Sequence, residues 1–554
     1  MARYGRMSAL VLALVLVLSP VAGASAVNGH PREADVREAT YFGADAYDAV
    51  DATWRTAPTL PPVSRHVFAS LPPKFLLTRD EDWFKVKVAS AGTPIVVNVQ
   101  RLSGQGGSYL DVYGSTAGSC DATSLAFAGT ADPNNAPPLL GAQSPAGWWD
   151  SGMTSMYFVA PRAGTYYFRH RPAAGGTGAG YSRDSIANVA NTSAAYEIHV
   201  IVGDADRIAG PSRYGTSVAV SRQMWNAADD PWWWEGPWGN GVILASGQNF
   251  ADGLAATSLS LRTGMPILLT AQQGLPGDVR AEIDRLGTAN KWRVWAGDNT
   301  FTVYICGSEV AISDAVQAQL EADPYVTAVK RLEGRDRFET AALIADEASA
   351  AALYKRLVLV GGAAPATRRP TEAFVINGAA WADGLAAGPV AAFADAPVLM
   401  VTATSLPKST REWIVGNGIT SVHVVGGPSV VATSVMTAIA SLSTTPTVDR
   451  IAGASRYETA YRVARYGVDN YGMSGKGCTV VSGESPWDAL SAGQLSFMTY
   501  TPLLLTPRTG LSPWVTLFHD GSAGFAQPSY VVGGEPAVGA AAYNQLRDLW
   551  KRTL

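Results

Sequence analysis

The 554-residue chain is poor in cysteine, histidine and charge, and each shortage excludes something. Its three cysteines, Cys120, Cys306 and Cys478, lie far apart with no Cys-x-x-Cys pair. A zinc ribbon, a dithiol redox site and a full disulfide framework are therefore excluded. Cys306 closes the apolar run Val303-Tyr304-Ile305 and reads as a small core residue. The six histidines, His30, His66, His170, His199, His423 and His519, form no His-Glu-x-x-His pair and no other helical ligand spacing, so no metal and no other cofactor is expected. His199 and His423 fall in strand-like runs, where a structural imidazole is the expected role. There is no Gly-x-Ser-x-Gly elbow, no cysteine stands in a nucleophile context, and His519-Asp520 is an adjacent pair that makes no triad by itself. Charged residues are only 16%, with 42 basic against 46 acidic and a formal charge of −4, which argues against sequence-independent nucleic-acid binding. Past the first turns of the chain no apolar run approaches the roughly 18 residues of a membrane span, so no membrane insertion of the mature chain is expected.

What is abundant is apolar and small. Hydrophobic residues make up 47%, with 56 Gly, 33 Pro and 16 Trp, which suits several packed domains and neither a disordered tail nor a coiled coil. Residues 1–26 read as a signal peptide: Arg3 and Arg6, an apolar stretch Ala9–Leu18 too short to span a bilayer, and Ala24-Ser25-Ala26 for cleavage. An exported chain follows from that reading.

The decisive feature is an internal triplication. Arg207-Ile208-Ala209-Gly210-Pro211-Ser212-Arg213-Tyr214-Gly215-Thr216 returns at Arg331–Thr340 and again at Arg450–Thr459, at intervals of 124 (207 to 331) and 119 (331 to 450) residues. In each copy a box follows, Ala251-Asp252-Gly253-Leu254, Ala382-Asp383-Gly384-Leu385 and Trp487-Asp488-Ala489-Leu490. Fourteen residues after the aspartate comes Pro266-Ile267-Leu268-Leu269, Pro397-Val398-Leu399-Met400 or Pro502-Leu503-Leu504-Leu505. Each copy then closes on an apolar strand ending in glycine: Ile305-Cys306-Gly307, Val424-Val425-Gly426 and Val531-Val532-Gly533.

Within a copy, Asp336-x-x-Glu339 and Ser455-x-x-Glu458 are capping boxes that start a helix, while Gly215 weakens the same start in the first copy. The Pro-Ile-Leu-Leu runs lack polar alternation, which suits strands covered on both faces. Pro276, Pro407 and Pro513 open further helices. Three rounds of strand and helix per copy imply a parallel sheet with flanking helices. The preceding region differs: Trp83–Val88, Ile95–Val99, Tyr166–Phe168 and Tyr196–Val200 are aromatic and β-branched runs between Gly-, Pro- and Ser-rich turns, the pattern of a β-sandwich. Ala173–Ser193 reads as a surface loop or part of a hinge.

On these four motifs, residues 204–554 resemble the cell wall binding repeat type 2 family of Gram-positive bacteria. The resemblance implies three flavodoxin-like α/β modules packed about a pseudo-threefold axis, and non-covalent attachment of a secreted protein to an anionic cell-wall polysaccharide or secondary wall polymer. Two departures bear on threefold equivalence: Pro486-Trp487-Asp488-Ala489, and an extra Val358-Leu359-Val360-Gly361-Gly362 segment with Arg368-Arg369 in the second copy. On Asp82-Trp83-Phe84, Leu110-Asp111-Val112-Tyr113 and Ala163-Gly164-Thr165-Tyr166-Tyr167, the N-terminal region is similar to bacterial pre-peptidase C-terminal domains.

The expected organisation is a signal peptide (1–26), a β-sandwich (27–203) and three repeats (204–330, 331–446, 447–554). Candidate ligand-binding residues are the recurring pairs Arg207/Arg213, Arg331/Arg337 and Arg450/Arg456, because a guanidinium forks phosphate or carboxylate oxygens. The first arginine can equally brace its loop and the second neutralise Asp252, Asp383 or Asp488. Those aspartates are candidates at the same site, with helix capping as their other role. The Gly-Gly strand ends fall at the carboxyl edge of a parallel sheet, where tight turning and anion contact are both open. Trp232-Trp233-Trp234 with Trp238 suits burial or sugar stacking. Wall anchoring without catalysis is the function expected, with the sandwich as effector or adaptor. The alternative is a wall hydrolase of amidase or peptidase type with scattered catalytic groups.

Overall fold

A computed structural model describes residues 206–224, 240–295, 300–350, 370–499, 501–521 and 529–553, together with the strands of the N-terminal region and a few residues beside them. The leader, Cys120, residues 174–193, the Trp232–Trp238 cluster and the 358–362 and 368–369 segments lie outside the described residues.

The N-terminal strands are β1 (Thr59–Leu60), β2 (His66–Leu71), β3 (Asp82–Val88), β4 (Pro94–Arg101), β5 (Gly107–Tyr113), β6 (Leu140–Gln143), β7 (Met153–Val159), β8 (Gly164–Ala173) and β9 (Ala194–Val202). They form two sheets, ordered β1-β3-β8-β5-β6 and β2-β9-β4-β7. Their pairings are antiparallel apart from β1 with β3.

From residue 206 onward the architecture changes to parallel sheets. The first contains β11 (Gly241–Ser246), β12 (Ile267–Thr270), β13 (Thr302–Cys306) and β14 (Ala328–Leu332). The second contains β15 (Glu372–Asn377), β16 (Val398–Val401), β17 (Ser421–Val425) and β18 (Thr447–Ile451). The third contains β19 (Thr479–Ser482), β20 (Leu503–Thr506) and β21 (Tyr530–Val532), and its fourth strand is β10 (Asp206–Ile208) from the beginning of the first repeat. Each sheet is ordered 2-1-3-4, the doubly wound flavodoxin-like order without a fifth strand. The strand that opens each repeat thus completes the sheet of another copy. β14 joins the first sheet and β18 the second, while β10 reaches back from the first repeat to join the third.

The helices flank these sheets. They are α1 (Arg213–Met224), α2 (Phe250–Thr263), α3 (Gly277–Trp295), α4 (Asp314–Glu321), α5 (Arg337–Ala350), α6 (Trp381–Gly384), α7 (Ala387–Phe393), α8 (Lys408–Gly416), α9 (Thr433–Ala440), α10 (Arg456–Tyr471), α11 (Trp487–Met498), α12 (Pro513–Asp520) and α13 (Ala540–Thr553). Among the described residues no helix is long and apolar enough to cross a membrane.

Helices α2, α7 and α11 pack on one another at the centre. Around them, α5 of the second module lies on α2, α10 of the third on α7, and α1 of the first on α11. Three seams follow one cyclic rule, a pseudo-threefold ring.

The missing polar alternation has its cause here. Along β11, Ile243 and Ala245 enter a central core shared by all three modules, while Val242 and Leu244 enter a core private to the first. Phe374 and Ile376 against Ala373 and Val375 repeat this in β15, and Leu503 and Leu505 against Leu504 in β20. Burying each of the larger of these side chains contributes on the order of 1.5–3 kcal/mol, and part of that on the shared face depends on the neighbouring modules.

The axis itself breaks the symmetry. Thr257, Gly388 and Gly493 stand five residues after their repeat's aspartate. A Cβ at Gly388 would lie 2.8 Å from Thr257 Cγ2, and one at Gly493 would lie 3.1 Å from it. One threonine fills the space that two glycines leave.

Candidate functional site

The triplicated motif residues gather where one module meets the next. Consider first Arg207, Arg331 and Arg450, each on the strand that completes a sheet. Arg207 Nη1 donates to Gly533 O (2.7 Å) and Val538 O (2.8 Å). Arg331 Nη1 donates to Gly307 O (3.0 Å) and Ile312 O (2.9 Å). Arg450 donates to Gly426 O through Nη1 and to Val431 O through Nη2 (2.8 Å). All three close the glycine loop after the neighbouring strand, which is the bracing role. Arg331 also holds Gln317 and Asp314.

Arg213, Arg337 and Arg456 sit differently, in the first turn of α1, α5 and α10. Each spends one N–H: Nη1 donates at 2.6 Å to Gly247 O, Gly378 O and Gly483 O respectively. Their Nε and Nη2 groups have no hydrogen-bond partner among the described residues. The Arg213 guanidinium lies over the Trp487 ring at 4.3 Å, and that of Arg456 over Trp381 at 5.2 Å. Trp487 thus meets its arginine as Trp381 does, although it stands one residue nearer to its aspartate.

Asp252, Asp383 and Asp488 occupy the first turns of α2, α6 and α11. Their carboxylates turn into the seam. Burial pushes Asp252 up to about 6, opposed by the charge of Arg337 from the next module. Asp488 is likewise pushed up to about 6 by burial, against a hydrogen bond from Thr216 and the charge of Arg213. Asp383 is raised by burial, against Thr459 and Arg456. The pairing is cyclic, each aspartate facing the arginine of the next repeat, and the third facing the first.

Each carboxylate also lies against the strand-end glycine of its own module. Gly307, Gly426 and Gly533 have φ of +112°, +115° and +120°, a region L side chains avoid. A Cβ there would meet the aspartate Oδ2 at 2.5, 3.2 and 2.7 Å. The motif threonines complete the seam: Thr216, Thr340 and Thr459 Oγ1 accept from Gly210, Gly334 and Gly453 N–H at 3.2, 3.0 and 3.1 Å. Their part was missed in the sequence, although a threonine at the tenth position of every copy was the available signal.

Two further polar clusters lie away from the motifs. Cys478 Sγ is 3.3 Å from His519 Nε2 in the third module's private core, with Ser529 beside both. Burial pushes the thiol up to about 12 and the imidazole down to about 4, so both are neutral and the pair has no activated nucleophile. His423, in β17, stands between two carboxylates and two tyrosines under α10. Among the described residues no group of three or more His, Cys, Asp or Glu could hold a metal ion.

Three parallel α/β modules, closed on each other through repeated seams, define a ring-forming tandem repeat protein. The chain belongs to the cell wall binding domain 2 (CWB2) family, whose model matches residues 207–317, 331–436 and 450–543, more than half of its length. Cell-wall binding is what these repeats indicate, and the cell wall or surface is where they place the chain. N-acetylmuramoyl-L-alanine amidase LytC of Bacillus subtilis is 26% identical over 342 residues, covering 62% of this chain and 58% of LytC. The chain therefore spans less than two thirds of that relative. Among solved structures, Cwp8 of Clostridium difficile is similar with a TM-score of 0.50 at 23% identity, over 63% of this chain and 52% of Cwp8. Cwp6 of the same organism has a TM-score of 0.52 at 18% identity, over 85% of this chain and 68% of Cwp6. Both likenesses are of fold.

Proposed function

We propose that the ring anchors an exported protein to an anionic wall polysaccharide, gripped at the three seams by Arg213, Arg337 and Arg456. The observation that supports this is the recurrence of a guanidinium fixed by one N–H, with its other donors unspent. Such a group is pre-organised to fork a phosphate or carboxylate, at little further cost in side-chain entropy. Arg207, Arg331 and Arg450 shape the glycine loops beside it, and Asp252, Asp383 and Asp488 set a carboxylate across each seam from the second arginine. The domain division offered is a leader over 1–26, a β-sandwich adaptor over 27–203 and the ring behind it.

The test uses the full chain and purified walls. Replacing Arg213, Arg337 and Arg456 together with Gln should cut wall retention while circular dichroism and the melting temperature stay near wild type. Wild-type retention should weaken with added salt and with removal of the anionic polymer. Undiminished retention by a folded triple variant would make these arginines architectural. A second reading, a wall amidase, is favoured by the name of the LytC relative alone. Release of soluble peptide from peptidoglycan by the full chain would establish it.

A further inference from the structure

Equivalent positions in the three seams carry different polar groups, and one set can change charge near neutral pH. In the first seam, Tyr304 Oη donates to Glu347 Oε1 at 2.9 Å, and Lys330 pairs with the same carboxylate. In the third, the corresponding strand positions hold Tyr530 and Asp206. In the second the strand position is His423. Its Nδ1 is 2.5 Å from Asp449 Oδ1 on β18, and its Nε2 is 3.2 Å from Glu372 Oε2 on β15. From α10, Tyr466 Oη lies 3.3 Å from Nδ1 and Tyr471 Oη donates to Glu372 Oε2 at 2.7 Å. The imidazole stacks against Phe374 and Tyr466, with ring centroids at 4.8 and 5.2 Å.

We propose that His423 is a proton-dependent clamp on the seam between the second and third modules, holding the C-terminal half of α10 down when both ring nitrogens carry hydrogen. The reason is a count of donors. A carboxylate oxygen faces each nitrogen, and only the imidazolium can donate to both. The neutral ring has one N–H, so its other nitrogen turns a lone pair towards Asp449 or Glu372. The His423 side chain is 6% exposed, so its ring nitrogens meet Asp449, Glu372, Tyr466 and Ser421 Oγ (3.5 Å from Nε2) rather than bulk water. Glu372 is the acceptor of Tyr471, and Asp449 shares the Nδ1 side with Tyr466. Loosening either carboxylate therefore loosens α10, whose first turn carries Arg456.

The sign follows from the surroundings. Burial lowers the affinity of His423 for its proton, but Asp449 and then Glu372 outweigh it, and the imidazole is raised above its ordinary value. A raised folded value contributes stability below the unfolded pKa, and that stability is lost as pH climbs through the folded pKa. The first seam does not share this behaviour, because the Tyr304 phenol is raised well above neutrality by burial and by Glu347.

Amide exchange on the full chain tests the clamp, comparing α10 with its counterpart α5 after correction for intrinsic rates. Between about pH 6 and about pH 9, Tyr466–Tyr471 should lose protection relative to α5, about tenfold for each unit between the folded and unfolded pKa. His423→Gln should remove that step. A paired Tyr466→Phe, Tyr471→Phe variant keeps the imidazole, so it should remove the step from α10 while the histidine's NMR titration stays above about 6.5. Parallel courses for α5 and α10 would overturn the proposal. So would a step that survives either variant, or a wild-type imidazole that titrates at or below the free value. None of these readouts depends on wall binding.

Discussion

Asp252→Asn isolates the electrostatics of a seam. The native carboxyl is 7% exposed and held at about 6, against about 3.9 for a free aspartate. Two units correspond to about 3 kcal/mol between the protonated and ionised folded states. Because the folded value is raised, the contribution is fully present below about pH 3.9 and is lost as pH rises to about 6. Asparagine has the same shape and no such dependence. The stability of the variant minus that of wild type should therefore climb by about 3 kcal/mol from about pH 3.5 to about pH 7.5, read from urea midpoints at unchanged slope. The 2 remaining aspartates stay in both proteins and cancel in the difference. Parallel pH curves would refute the argument. A variant that lost ground towards pH 7.5 would show instead that Arg337 and Asp252 form a net favourable ion pair.

Other substitutions probe closure, the loops and the axis. Arg207→Met removes charge-assisted bonds to two carbonyls, worth about 1.5–3 kcal/mol each, and should speed proteolysis near residues 206–210 by freeing β10. Gly426→Ala forces an alanine to φ +115° beside Asp383 and should lower the urea midpoint by an equivalent of about 1–3 kcal/mol. Gly388→Ala alone should cost about 1–3 kcal/mol by overpacking Thr257, and Thr257→Ala should recover most of that in a double-mutant cycle.

The sequence carried the triplication, the parallel class and the two-faced strands openly, because those depend on periodicity and on apolar runs. It left the arginines undecided because Arg207 and Arg213 look alike in a motif. What separates them is the number of carbonyls each meets, and Val538 lies 331 residues from Arg207. Trp487 looked displaced from its counterparts, yet its ring still reaches the guanidinium of Arg213. The strand pattern alone suggests a structural imidazole at position 423. Its carboxylates lie 26 and 51 positions away, and nothing local announces them. The borrowing of strands was hidden for the same reason. Asp206–Ile208 is a three-residue run whose partner is Tyr530–Val532.

That borrowing constrains how such a chain can vary. A head-to-tail contact between unlike faces either propagates without end or closes when the rotations sum to a full turn. Here the contact closes after three modules, and the closing strand comes from the residues that follow β9 of the N-terminal region. Copy number is thus tied to geometry, since removing one repeat would break the closed ring and leave each of the two remaining central helices without one of its two neighbours.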